Sequence, residues 1–146
     1  MRSSLRVKKI LVPFDNSKNA FRALNVGVSL ANKFNASVIL FHVAYVPPYG
    51  GFQRSNADKV KAMTYVKRIM SEATKICKKK NIIYEEIVKY GDNPGEIITK
   101  FVNKSSNKID LIVTGSRGSS LTHNIFFGST SNHVLHKSKI PVLLIK

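Results

Sequence analysis

Five short apolar runs alternate with stretches of helical periodicity, and that alternation leaves this chain very few folds to choose from. Residues 7–14 (VKKILVPF), 36–46 (ASVILFHVAYV), 82–89, 109–114 (IDLIVT) and 140–145 (IPVLLI) read as buried strands. After the first, Ser17 can cap a helix in which Ala20, Ala23, Leu24, Gly27, Val28, Ala31 and Phe34 recur at helical spacing. From about Asn56 to Lys80 the longest helix is expected, with Met63, Val66, Met70, Ala73 and Cys77 on one buried stripe. In GDNPGE at 91–96, Asp92 or Asn93 suits a cap and Pro94 a first helical position, and Ile97, Ile98, Phe101 and Val102 supply the apolar face that follows. Residues 128–137 form a last short helix.

The resulting order βαβαβαβαβ predicts an α/β fold, a parallel sheet covered on both faces. Parallel neighbours need crossover connections, and those crossovers are right-handed. A length of 146 residues fits one domain, 1–146, with a core large enough to need no disulfide or structural metal. The lone Cys77 falls on the buried stripe and reads as a packed thiol. No stretch approaches the roughly 20 apolar residues of a membrane span. The apolar run after the basic N-terminal residues stops at Asp15, too soon for a signal-peptide core, so a cytoplasmic location is expected.

Charge narrows the partners without choosing one. Lys and Arg number 24 against 8 Asp and Glu, a formal net charge of +16, which attracts nucleotides, nucleic acid and acidic headgroups alike. The lysines are spread over several elements without an aromatic stacking signature, so nucleic-acid binding is expected to be nonspecific only. The alternative to a nucleotide site is a basic adaptor for nucleic acid or a membrane surface, in which the glycine loop described next is structural.

That loop carries the chemistry. TGSRGSSLTHNIFFGST at 114–130 spaces Gly115, Gly118 and Gly128 as G-x2-G-x9-G-S-T between a buried strand and a helix. Glycines let backbone N–H groups approach phosphate oxygens and tolerate positive φ. A helix beginning after Gly128 adds free N–H donors and the hydroxyls of Ser129 and Thr130, which suits a polyphosphate. Arg117 and His123 lie inside the loop and could add positive charge. Asp15, at the carboxyl end of the first strand, could accept hydrogen bonds from ribose hydroxyls or cap the helix near Ser17. His133 and His136 lack companion ligands in sequence and read as surface or packing residues, and Asp110, at the far end of its strand, as structural.

The motif, its strand-loop-helix setting, the opening ILVPFDNSKNA, FHV at 41–43, GDNPGEII and the C-terminal region together resemble the ATP-binding branch of the universal stress protein family. The resemblance implies a three-layer, Rossmann-like domain of the adenine nucleotide α-hydrolase-like kind, with five parallel strands in the order 3-2-1-4-5. It implies ATP, AMP or ADP over the ends of strands 1 and 4, with Mg²⁺ as companion ion. Pro13 and Asp15 would border ribose and adenine, the Val43 backbone would meet the adenine edge, and Gly115, Gly118, Gly128, Ser129 and Thr130 would hold phosphates. A homodimer through the edge strand 140–146 is expected from its apolar character and from the resemblance. The implied role is a nucleotide-dependent sensor or switch in stress response that signals to a protein partner.

Enzymatic machinery is sparse by comparison. There is no G-x4-G-K-[ST] loop, no G-x-G-x-x-G fingerprint and no H-x-G-H signature, and no convincing general base accompanies the glycine loop. At most a slow ATPase is expected.

Overall fold

The computed structural model describes residues 4–46, 55–117 and 127–146. Five parallel strands form one sheet in the order β3-β2-β1-β4-β5: β1 (Lys9–Pro13), β2 (Ser37–Tyr45), β3 (Tyr84–Gly91), β4 (Leu111–Gly115) and β5 (Val142–Ile145). Helices α1 (Lys18–Phe34), α2 (Asn56–Lys79), α3 (Pro94–Asn103) and α4 (Ser129–Lys137) make the crossovers. The three-layer α/β architecture and the strand order are those expected.

Strand periodicity sorts the core into two layers. Side chains alternate faces along a strand. Ile10, Val12, Val38, Leu40 and Val113 therefore join the buried residues of α1 and α2, whereas Leu11, Ile39, Phe41 and Ile112 join Ile98 and Val102 of α3 and Val134 of α4. Both faces of β1, β2 and β4 are covered, which is why their sequences are continuously apolar rather than alternating. Among the described residues no helix is long and apolar enough to cross a membrane.

Local signals set the helix starts. Ser17 Oγ accepts from the Ala20 N–H, and Asn93, with Pro94 beside it at the first helical position, accepts from the Glu96 N–H. Ser55 and Asp58 form a reciprocal capping box ahead of α2. At the opposite end of the sheet, Asp110 accepts from the Lys8 and Lys9 N–H groups, tying β4 to β1.

Several boundaries differ from expectation. β3 begins at Tyr84 because Lys80–Ile82 form the turn that closes α2, with Asn81 left-handed (φ 53°) and the Ile82 N–H bonded to the Cys77 carbonyl. β5 begins at Val142, since Pro141 has no N–H to give and contributes only its carbonyl to Ile112. The stripe on α2 starts at Val66 rather than Met63, which is 54% exposed, and it gains Ile69. Length explains the shift. Twenty-four residues make a helix of about 36 Å, longer than the roughly 30 Å of the nine-residue β2 and far longer than the five-residue β1. The first turns of α2 thus stand beyond the strand ends. Phe34, at the last turn of α1, is likewise exposed rather than core.

Candidate functional site

Where the winding of a parallel sheet reverses, adjacent crossovers leave in opposite directions and open a crevice at the carboxyl ends of the strands. Here that point lies between β1 and β4. A cleft of about 460 Å³ occupies it, walled by the ends of β1 and β2, by Ala62, Tyr65, Val66 and Ile69 of α2, by Pro94 and Ile98 of α3, and by Thr114, Gly115, Arg117 and Gly128–Ser131. Pro13, Asp15, Val43, Gly115, Arg117, Gly128, Ser129 and Thr130, far apart in sequence, all line it. Gly118 and His123 lie outside the described residues.

The end of β1 is fixed by its neighbour. The Phe14 N–H bonds to the Phe41 carbonyl at 2.8 Å, and His42 Nδ1 donates to the Phe14 carbonyl at 2.7 Å. A carbonyl can only accept, so the His42 proton sits on Nδ1. Phe14 also meets Phe21 of α1 edge to face, with ring centroids 5.0 Å apart. Asn16 then takes the left-handed conformation (φ 66°), and Asp15 Oδ1 accepts from the Ser17 N–H at 3.0 Å. The aspartate thus shapes the turn into α1, while Ser17 itself is the cap. The same geometry holds the Asp15 carboxylate at the cleft wall.

At the other rim, the Ser116 carbonyl accepts twice, from the Gly128 N–H at 2.8 Å and from Ser131 Oγ at 2.9 Å. The Ser116 N–H in turn bonds to the Ile145 carbonyl. These bonds seat the N-terminus of α4 against the ends of β4 and β5. Gly128 occupies the cap position, no described side chain caps α4, and Gly128–Ser131 line the cleft, so the first turn, whose N–H groups have no intrahelical partner, brings the positive end of the helix dipole to it.

Of the motif glycines, the described Gly115 and Gly128 do not use positive φ. No described glycine has it, and Gly128 is extended at φ −67° and ψ 156°. Gly115 is required for another reason. A Cβ there would lie 2.9 Å from the carbonyl carbon, carbonyl oxygen and Cβ of Asn19, so its absence lets the first turn of α1 rest on the end of β4. Gly95 meets His133 in the same way, which places that histidine in helix packing between α3 and α4.

Sequence reasoning passed over His42, Ser116 and Ser131. All three are buried polar groups inside or beside apolar runs, and such residues need partners. The tyrosines Tyr45 and Tyr65, 62% and 52% exposed, also went unmarked although both border the cleft. Among the described residues no group of three His, Cys, Asp or Glu is placed to hold a metal.

Family comparison accords with this geometry. The model of the universal stress protein family matches residues 6–146. The chain belongs to the universal stress protein family. Universal stress protein MJ0531 of Methanocaldococcus jannaschii is 30% identical over 144 residues, covering 95% of this chain and 82% of the relative. Among solved structures, protein MJ0577 superposes with a TM-score of 0.79 at 26% identity, covering 97% of this chain and 96% of that one. The universal stress protein of Archaeoglobus fulgidus in complex with dAMP shares the fold at a TM-score of 0.67 and 24% identity, over 97% of this chain and 99% of that one.

Proposed function

We propose that this universal stress protein binds an adenine nucleotide, ATP by the resemblance of its glycine motif to the family's ATP-binding branch, and acts as a nucleotide-dependent sensor or switch in stress response. The observation that carries the reading is the uncapped start of α4 facing one end of the β1–β4 cleft while apolar side chains wall the other. A charged phosphate chain and a flat apolar base need those two environments in one cavity. The Archaeoglobus fulgidus relative solved with dAMP supports an adenine nucleotide in this fold.

In this reading the Val43 backbone meets the base edge, Pro13 and Asp15 border the ribose, and Gly115, Arg117, Gly128, Ser129 and Thr130 face the phosphates. Gly118 and His123 belong to the same loop. Asp15 is the one carboxylate among the described lining residues, which fits Mg²⁺ carried on phosphate oxygens with the Ser129 and Thr130 hydroxyls nearby better than a metal cage built by the protein. The same scarcity of acids leaves hydrolysis slow at most, and binding is the function. Bound nucleotide shifts the population of a partner-binding conformation. Self-association joins the edges of β5, a short apolar strand in which Leu143 is 38% exposed. The action belongs in the cytoplasm.

Isothermal titration of nucleotide-free protein with ATP and Mg²⁺ at physiological salt tests the reading, because general attraction to the basic surface is screened there. Saturation near one ATP per chain is expected. Absence of saturable binding removes the phosphate-loop assignment and favours the adaptor.

A further inference from the structure

The two helical layers differ in charge. α1 and α2, which cover one face of the sheet, carry ten Lys and Arg against two acids, Asp58 and Glu72, whereas α3 and α4 on the other face carry two Lys against Glu96. Cations scattered along the sequence are thus gathered on one side by the fold, and all ten are exposed. Asp58 is engaged in the capping box and Glu72 pairs with Lys75 at 2.9 Å, while Glu86 of β3 stands near Cys77 in the last turn of α2. Along the outside of α2, Val60, Thr64, Lys67, Ser71, Lys75 and Lys78 follow at intervals of three or four. They form one exposed row about 27 Å long. The head of that row is apolar, since Val60 is 61% exposed and Met63 beside it 54%.

A row of cations attracts any polyanion, so its apolar head decides the partner. The phosphate backbone of a nucleic acid gives an aliphatic side chain nowhere to be buried. An anionic bilayer takes Lys and Arg at its headgroups and apolar side chains just beneath them. α1 and α2 also pack side by side on the sheet, which makes the charged face broad enough to lie on a surface. We infer that the α1–α2 face is a peripheral docking surface for an anionic phospholipid membrane, with Lys67 and Lys78 at the headgroups and Val60 and Met63 below them. The contact does not depend on the nucleotide reading.

The test is cosedimentation of the natural chain with vesicles of phosphatidylcholine, with and without phosphatidylglycerol, at physiological salt. Binding to the anionic vesicles alone is expected. Lys67→Gln with Lys78→Gln should lower that affinity about fivefold for each lysine lost. Lys104→Gln with Lys137→Gln removes the same charge from the α3–α4 side and should change it less than about twofold, because screening confines the attraction to about 8 Å. The chain has no tryptophan, so Val60→Trp supplies a single reporter at the head of the row. Its emission should shift to the blue on anionic vesicles and be quenched by brominated lipid. All five positions are exposed, and an unchanged melting temperature verifies each variant. Absence of binding to anionic vesicles, or an equal loss from the two lysine pairs, overturns the docking surface. A reporter that stays in water overturns it too, and duplex DNA that binds with the same dependence on Lys67 and Lys78 then assigns the face to nucleic acid. Should a lysine pair fail to fold, the natural chain and the reporter decide.

Discussion

Gly115→Ala separates two reasons for a glycine at the start of the G-x2-G-x9-G-S-T motif. If the glycine exists only to admit phosphate, adding a methyl group leaves the ligand-free protein unharmed. The structure says otherwise, because the new Cβ would lie 2.9 Å from three atoms of Asn19, two of them backbone. Backbone in the first turn of α1 cannot rotate aside as a side-chain tip can. Either α1 slides outward or the end of β4 bends, and overpacking of this kind costs about 1–3 kcal/mol. Backbone strain does not add to this, since Gly115 is not in the left-handed region. For a domain of this size each kcal/mol moves the melting temperature about 2–4 °C, so a fall of roughly 2–12 °C is expected without any nucleotide. Urea unfolding of the ligand-free protein gives the same quantity, with a lower midpoint and an unchanged slope. Nucleotide binding should weaken as well, because Asn19 and the Asp15 turn belong to the displaced end of α1. Stability within about 0.5 kcal/mol of the natural chain together with lost binding would refute the packing argument and return Gly115 to a purely ligand-facing role.

Ser131→Ala removes the hydroxyl that donates to the Ser116 and Gly128 carbonyls. A loss of about 1 kcal/mol in chemical denaturation is expected, with faster amide exchange at Gly128, and unchanged exchange there would show that α4 is seated by other contacts. Cys77 is fully buried, and burial first and the Glu86 charge second push its thiol up to about 11. Aromatic disulfide reagents at pH 8 should therefore label it slowly in the native protein and quickly in denaturant, and rapid native labelling would contradict a packed thiol.

Much of this architecture was legible because burial writes periodicity into sequence. β1, β2 and β4 are covered on both faces and read as unbroken apolar runs, and the caps Ser17 and Asn93 stood where short polar residues precede helical spacing. Periodicity failed where an element outran its partner. Met63 keeps the spacing of the α2 stripe but stands past the strand ends, and Phe34 overshoots α1 in the same way. At the candidate site, the family resemblance named residues of which the described ones come together in one cleft, and the structure adds a packing reason for Gly115 that sequence did not show, since its neighbour Asn19 lies 96 positions earlier in the chain. The bonds from His42 to Phe14 and from Ser131 to Ser116 were illegible, since a side chain that seeks a particular carbonyl leaves no periodic trace.

The doubly accepting Ser116 carbonyl has an implication for how such proteins diversify. The chain leaves the sheet at Ser116 and is fastened again to that same carbonyl at Gly128 and Ser131, so the two stumps of the intervening segment are held together by bonds outside it. Closing a connection between fixed ends depends only logarithmically on its length, about 0.6 kcal/mol for each doubling. Insertions, deletions or grafted sequences between these anchors should therefore come at little cost to folding. The scaffold behaves as a socket that stays closed whatever length of chain runs between its two contacts.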